Sequence, residues 1–297
     1  MTDPMTPPPF RLGVVLEMIK FQHTFFALPF AAMSAALAAA QRSEIPWGAY
    51  GWILVAMVSA RSSAMAFNRL VDRDIDRLNP RTSRRALPLG LVTSRQVALF
   101  TLVCALVFMG SAYALNPLAF RLSPLALAII LGYSYTKRFT WLSHWVLGIS
   151  LAIAPVGAWI AIAGTIGAPS IVLAVAVTLW TAGFDMIYAC QDVDFDRQNQ
   201  LHSVPKKFGV ESALRLSSAL HVLTVVCLAT LIPLGALGFI YALGIAGTAL
   251  LLIYEHRLVR PDDLSRVDAA FFTTNAAVSL GLMTFMIADL AFRRAPG

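Results

Sequence analysis

Three stretches of this chain, residues 96–120, 139–184 and 216–254, contain no Asp, Glu, Lys or Arg. An apolar helix of about 20 residues crosses the hydrocarbon core of a bilayer, so the middle stretch has room for two crossings. Inside lipid the backbone must satisfy its own hydrogen bonds, and a helix does so within a single segment. Composition points the same way: 58% of residues are hydrophobic and 13% charged, against about a quarter charged in a soluble domain. The sequence predicts an all-α, polytopic membrane protein. Hydropathy sets about nine helices, near 15–40, 48–68, 95–115, 118–135, 143–163, 169–190, 213–234, 236–255 and 269–291. Asn116-Pro117 and Ser123-Pro124 bracket the turn between the third and fourth. Ala168-Pro169 opens the sixth, and Pro233 to Gly238 marks the turn between the seventh and eighth.

Lys and Arg gather in the cytoplasmic loops of membrane proteins and so fix orientation. The N-terminal flank and the loops after the second, fourth, sixth and eighth helices hold 18 of the 23 Lys and Arg. The other side holds Arg42, Arg121, Arg293 and Arg294, and Arg61 falls inside the second helix. This partition predicts a cytoplasmic N-terminus in a cell (inner) membrane. The net charge of +7 is then topological, and no nucleic-acid partner is expected. Residues 1–10 are proline-rich and lack a basic n-region, so they read as a disordered tail and not as a targeting segment. A single membrane domain is expected over 11–293. Cys104, Cys190 and Cys227 lack metal-type spacing and the five His are scattered, so neither zinc nor haem is expected.

The chain has 16 acidic residues, and seven of them fall in two places: Asp72, Asp74 and Asp76, then Asp185, Asp192, Asp194 and Asp196. Both places share one layout. Asn68-x3-Asp72-x3-Asp76 matches Tyr188-x3-Asp192-x3-Asp196, and each is followed by a basic segment ending in glycine, 81–90 and 202–209. Both lie on the cytoplasmic side, so this is a parallel repeat, which can face two carboxylate pairs across one cavity. Residues four apart share a helix face. Asp72 and Asp76 therefore point one way with Asn68 a turn deeper; Asp192 and Asp196 do likewise, with Tyr188 and Asp185 below. Paired carboxylates at a wet helix end suit Mg²⁺, which takes oxygen ligands, keeps several waters, and binds one or two carboxylates plus substrate phosphates. The neighbouring Arg and Lys suit phosphate. One such motif alone reads as a solvated loop; two matched copies predict a diphosphate site. Asp74 and Asp194 fall on other faces, as supporting or solvated residues.

Arg61 is a charge inside a span, which marks function or a buried pair. It lies seven residues before Asn68, on the face leading to Asp72, with snorkelling to an interface as the alternative. Asp185 stands seven before Asp192 and could instead be a structural partner for a buried cation such as Arg61. Phe21, Phe25, Phe67, Tyr133, Tyr135, Trp159 and Tyr188 could line a cavity for a lipid tail or a carbocation, or simply pack the bundle.

These residues resemble the UbiA superfamily of intramembrane aromatic prenyltransferases, over nearly the whole chain. Asn68 to Gly90 is similar to the family's N-x3-D-x3-D followed by R-T-x2-R-x-L-P-x-G, and Arg61 matches a family arginine seven before the asparagine. Tyr133 with Lys137-Arg138 is similar to Y-x3-K-R. Asp185-x2-Tyr188-x3-Asp192-x3-Asp196, then Ser203, resembles the second motif, and Lys20 and Thr24 fit the first-helix pattern. Two residues depart from it: Arg69 stands where many 4-hydroxybenzoate enzymes have Asp, and Ala86 replaces a usual Pro. The strings Phe67-Asn68-Arg69, Asn79-Pro80-Arg81-Thr82 and Gln191-Asp192 through Leu201-His202-Ser203 look more like the UbiA-like, or 4-hydroxybenzoate polyprenyltransferase, branch that includes menaquinone enzymes of the futalosine route.

The resemblance implies Mg²⁺-dependent transfer of a polyprenyl group from polyprenyl diphosphate to a small hydroxylated aromatic acid within the lipid bilayer. The acid would be 4-hydroxybenzoate or 1,4-dihydroxy-6-naphthoate, in ubiquinone or menaquinone biosynthesis. Asp72, Asp76, Asp192 and Asp196 would hold Mg²⁺, with Asn68 as a further ligand. Arg73, Lys137 and Arg138 would stabilise the leaving diphosphate. Tyr188 would stabilise the allylic cation, Arg61 or Lys20 would hold the acceptor carboxylate, and Asp185 belongs with this acceptor and cation group. Sister reactions of the superfamily (haem O, chlorophyll and archaeal lipid types) and a transporter are the alternatives. The CDP-alcohol phosphotransferases also use a membrane D-x3-D, but their D-G-x2-A-R element is absent here.

Overall fold

The computed structural model of the chain describes residues 12–18, 27–42 and 46–294. Lys20, Phe21, Thr24, Phe25 and the expected tail over 1–10 lie outside the described residues. From the N-terminus come α1 (Leu12–Met18), α2 (Leu28–Ala40), α3 (Trp47–Val71) and the short α4 (Arg73–Leu78). Next are α5 (Ser94–Leu115), α6 (Pro117–Gly132), a 3-10 segment (Tyr133–Arg138), α7 (Ser143–Ala163) and α8 (Ala168–Ala189). A 3-10 turn (Cys190–Asp192) leads into α9 (Val193–Gln198), then α10 (Val204–Phe208), α11 (Val210–Leu234) and α12 (Phe239–Leu258). α13 (Val267–Ala269), a π-helical turn (Ala270–Thr274) and α14 (Asn275–Arg294) complete the chain. The fold is all-α, as expected; among the described residues the one β feature is an isolated bridge between Arg260 and Asp263.

Among the described residues, seven helical segments are long and apolar enough to cross a membrane: Ser94–Leu115, Pro117–Arg138, Ser143–Ala163, Ala168–Gln198, Val210–Leu234, Phe239–Leu258 and Val267–Arg293. The other two of the nine expected helices do not qualify on the described residues. The first is represented by α1 and by the 13-residue apolar α2. The second, α3, has the length at 25 residues, but Arg61 and the serines Ser59, Ser62 and Ser63 dilute its apolar character. α12 also starts later than its expected 236, because the turn holds Ala236 at φ 47° and runs on to Gly238.

Local chemistry explains most helix ends. Thr93 and Gln96 cap α5 reciprocally, each side chain bonding the other's backbone N–H, which satisfies two orphan donors. Asn116 caps α6 through Ala119 N at 2.9 Å, with Pro117 in the first turn where no N–H is needed. Pro124, expected to help bracket that turn, lies instead inside α6. A proline there leaves the carbonyl four residues back without its donor; Ser123 Oγ supplies one, bonding Phe120 O at 2.8 Å.

α7 and α8 pack face to face, α8 packs on α11, and α2 lies against α7, α8 and α14. α3 packs on α5, and α5 on α6, which closes against α7. α8 is the most buried span, and α5 and α6 the least. The core runs through Phe30, Trp180 and Phe184, with ring centroids 5.0 and 4.8 Å apart in sequence. Away from the acidic motifs, Asp289 of α14 caps α12 by accepting from Gly238 N at 2.8 Å and Tyr241 N at 3.3 Å. Trp47, Tyr113, Phe239 and Phe292 project outward around that end, as interfacial aromatics do.

Candidate active site

The two acidic motifs are built alike. α3 stops at Val71, Asp72 forms a joint, and six-residue α4 follows; α8 stops at Ala189, a short turn ends at Asp192, and six-residue α9 follows. The helical run that the i, i+4 spacing implies is thus jointed at Asp72 in the first motif and by the turn Cys190–Asp192 in the second. The first break preserves the pitch: Asp72 N bonds Asn68 O at 2.9 Å and Asp76 N bonds Asp72 O at 2.7 Å. Asp72 and Asp76 therefore keep their expected common face. Each basic tail closes on a glycine in the left-handed region, Gly90 at φ 73° and Gly209 at φ 86°, a conformation that side chains with a Cβ disfavour.

Every motif carboxylate has a partner from this chain. Asp72 accepts from Asn68 Nδ2 at 2.9 Å and from Arg138 Nη2 at 3.1 Å. Burial pushes its carboxyl above the usual range, against the pull of the Arg138 hydrogen bond. Asp76 is buried and receives Arg85 Nη1 on both oxygens at 2.7 Å. Asp196, 2% exposed, accepts from Ser203 Oγ at 2.7 Å. Asp192 accepts from Arg81 Nη2 and, at 3.5 Å, from Asn79 Nδ2.

These last two bonds join the repeats, for Asn79 and Arg81 follow Asp76 of the first motif and Asp192 belongs to the second. Arg81 also donates to the Tyr188 hydroxyl and stacks over its ring, 4.8 Å from the centroid. Burial works against the Arg81 cation, but Asp192 and Tyr188 outweigh it and raise its pKa above arginine's ordinary value. The 3-10 segment closes the gap between motifs. Arg138 reaches Asp72, Lys137 sits in the field of Asp196, Asp185 and Asp192, and Lys137 O accepts from His202 N at 2.7 Å. The loops after α3, α6 and α8 therefore meet at one end of the bundle, as the parallel repeat requires.

Asp185 does not pair with Arg61, the alternative its position allowed. Its partner is His144, fully buried, with Nδ1 2.7 Å from Asp185 Oδ2. Val204 N donates to His144 Nε2 at 3.3 Å; that assigns the ring proton to Nδ1, donated to Asp185. Arg61 lies instead on the wall of an apolar cavity of about 520 Å³ between α3, α5, α6, α7 and α8, with Tyr133 near its acidic end. The Arg61 Nε is buried without a hydrogen-bond partner among the described residues.

Several residues stand apart from their expected places. Arg73 turns to Asp74, at 3.1 and 3.4 Å, and to Ser94 Oγ at 3.1 Å, and not to the four carboxylates. Asp74 and Asp194 are solvent-exposed, as expected of the outer faces. Asn68 Oδ1 accepts from Arg69 Nη1 at 3.2 Å, and Arg69 Nε reaches Met18 O at 3.4 Å. Arg69 is thus a buried strut between α1 and Asn68. Lys20 lies outside the described residues. Arg81, Arg85 and Asn79 were visible as parts of the tail but gave no sign of which carboxylate each would meet. His144 carried one signal, as an imidazole inside the charge-free run 139–184. Phe271, whose ring lies 4.3 Å from Tyr188, carried none.

The donor set suits Mg²⁺. Four carboxylates and an amide oxygen offer oxygen ligands and no soft ones. Among the described residues no three acids or imidazoles converge as a ready-made cage.

A family model described as the UbiA prenyltransferase family matches residues 27–277. The chain belongs to that family. Membership and the seven apolar helices make it a multi-pass integral membrane protein and a prenyltransferase. Among its relatives, the 4-hydroxybenzoate octaprenyltransferase of Vibrio atlanticus is 34% identical over 239 residues, covering 77% of this chain and 81% of that one. The Marinobacter nauticus protein of the same name is 32% identical over 236 residues, covering 78% and 79%. The apo structure of a UbiA homologue from Aeropyrum pernix K1 superposes with a TM-score of 0.82 at 35% identity, over 91% of this chain and 98% of that one. A UbiA homologue from Archaeoglobus fulgidus bound to DMAPP and Mg²⁺ shares the fold at TM-score 0.73 and 21% identity, over 93% and 99%.

Proposed function

We propose that this prenyltransferase moves a polyprenyl group from its diphosphate to a hydroxylated aromatic carboxylate, with Mg²⁺ held at the two aspartate motifs. The observation that carries this is the joint between repeats: Arg81 and Asn79 of the first motif on Asp192 of the second, beside an apolar cavity with Arg61 in its wall. The names of the relatives support the aromatic acid, and the Mg²⁺ and DMAPP bound by the Archaeoglobus protein support the metal and donor class.

Asp72, Asp76, Asp192 and Asp196 would hold Mg²⁺, with Asn68 as a further ligand. When bound, the metal supplies neutralising charge to the diphosphate oxygens. Arg81, Arg85, Lys137 and Arg138 contribute fixed positive charge at the same place, and Arg73 stands at its rim. The bond between the prenyl C1 and the diphosphate oxygen breaks with its electron pair leaving on the diphosphate. Tyr188 faces the resulting allylic cation with its ring. The ring carbon beside the acceptor's hydroxyl attacks C1, then loses its proton to the departed diphosphate and regains aromaticity. Arg61 is the candidate for holding the acceptor's carboxylate, since its buried, unbonded Nε has a donor to offer; Lys20 is the second candidate. Asp185, oriented by His144, would serve the same acceptor and cation group. The cavity encloses the prenyl tail and keeps water from the cation. We place the whole activity in one domain over 11–293, in the cell (inner) membrane, with the motifs and N-terminus cytoplasmic as the basic loops require.

An acceptor panel tests the reading. 4-Hydroxybenzoate and 1,4-dihydroxy-6-naphthoate are each offered with a polyprenyl diphosphate and Mg²⁺, and products are weighed by mass spectrometry. A prenylated aromatic acid is expected from one of them. Product only from a non-aromatic acceptor would overturn the aromatic assignment.

A further inference from the structure

Glu255 near the end of α12 and Asn275 at the start of α14 are both fully buried polar side chains, distant in sequence from either motif. A buried carboxylate within a bundle is costly and calls for a reason. Asn275 Nδ2 donates to Glu255 Oε1 at 3.1 Å, to Phe271 O at 3.0 Å and to Ala270 O at 3.3 Å. The two carbonyls belong to the π-helical turn Ala270–Thr274. Such turns are rare, poorly supported by their own hydrogen bonds, and frequent at functional sites. This one presents Phe271, whose ring meets Phe184 at 5.3 Å and Tyr188 at 4.3 Å between centroids. Tyr188 in turn carries Arg81, which joins the repeats at Asp192.

We propose that Glu255 and Asn275 are positioning residues for the reaction: they clamp the π turn so that Phe271 holds the Tyr188 ring at the edge of the acidic site. This rests on the reading of that site as the place where the prenyl diphosphate ionises. Neither residue touches substrate. Glu255 fixes the Asn275 amide, the amide fixes the turn's carbonyls, and the turn fixes the ring.

The test is a double-mutant cycle on Asn275→Ala and Phe271→Ala in the full-length protein in vesicles, with Mg²⁺ and a prenyl diphosphate. Each single variant is expected to lower kcat about tenfold, the size of one weakened cation–π contact in a dry site. KM for the prenyl diphosphate should stay within about twofold, because the carboxylates are untouched. The double variant should be no slower than either single one, because both act through one ring. Glu255→Gln keeps a carbonyl oxygen for Asn275 and should retain the wild-type rate. Backbone amide exchange over 270–276 should quicken in Asn275→Ala and not in Glu255→Gln. If Asn275→Ala does not fold, Glu255→Leu takes its place in the cycle with the same expectations. Wild-type kcat in Asn275→Ala, or losses that multiply in the double variant, would overturn the clamp alone. A wild-type protein that releases no diphosphate would overturn the reading of the site and the clamp's role with it.

Discussion

Each motif carboxylate already meets a cation, an amide or a hydroxyl of this chain, so on the proposed reading Mg²⁺ and diphosphate would replace these contacts. Arg81, Arg85 and Arg138, which now pair with these carboxylates, would then be available to phosphate oxygens. Arg81 has the most to lose, since it bonds Asp192 and Tyr188 together. Arg81→Ala is expected to lower kcat about a hundredfold, the scale of one lost donor at a developing anion. Arg81→Lys should recover little of it, because one ammonium cannot span both partners as a planar fork does. Turnover of purified Arg81→Lys near wild type would contradict this. At this scale the aspartates were legible because their spacing repeats. The partner of each was not, because nothing in the sequence ranks Arg81 or Arg85 above the nearby Arg73, Arg77 and Arg84. His144 shows the same gap: its role depends on Val204 N and Asp185 arriving from two other elements.

The elements that position the site pack too closely to tolerate added bulk at their crossings. Where α7 meets α8, a Cβ on Gly148 would stand 2.4 Å from Thr178 O and 3.0 Å from Thr178 Cα. Backbone cannot yield as a side-chain tip can, so Gly148→Val must separate α7 from the helix that carries Asp185 and Tyr188. A loss of about 3 kcal/mol of stability is expected, read as thermal unfolding in detergent; an unchanged melting temperature would show that the crossing can relax. Helix ends with local chemistry were legible in advance, as at Asn116-Pro117 and Pro169. The breaks at Asp72 and Asp192 were not, because the i, i+4 pattern of a kinked helix is that of a straight one. Nor was Pro124 inside α6, since its rescue by Ser123 Oγ is a matter of a single rotamer.

Across the whole molecule, the proposed reading gives the chemistry to the polar end and the prenyl tail to the bundle below it. The cavity of about 520 Å³ is walled by small side chains, among them Ala60, Ala64 and Ala126. Filling it with Ala60→Phe is expected to slow long-chain polyprenyl diphosphates about tenfold while leaving geranyl diphosphate nearly unaffected, since clashes grow with the length of tail enclosed. Equal slowing of both would place the tail elsewhere. The charge-free runs made this division readable in outline. The cavity itself was not readable, being the gap left by five helices packing around one another. The central claim is that the two repeats form one Mg²⁺-dependent diphosphate site. It is tested most directly by diphosphate release from a polyprenyl diphosphate and aromatic acceptor in vesicles holding wild type, Asp72→Ala or Asp192→Ala, with Mg²⁺ or with chelator. The expected result is release by wild type with Mg²⁺ alone, and none by either variant although both insert into the membrane. Near-full release by either variant, or by wild type in chelator, would contradict the account.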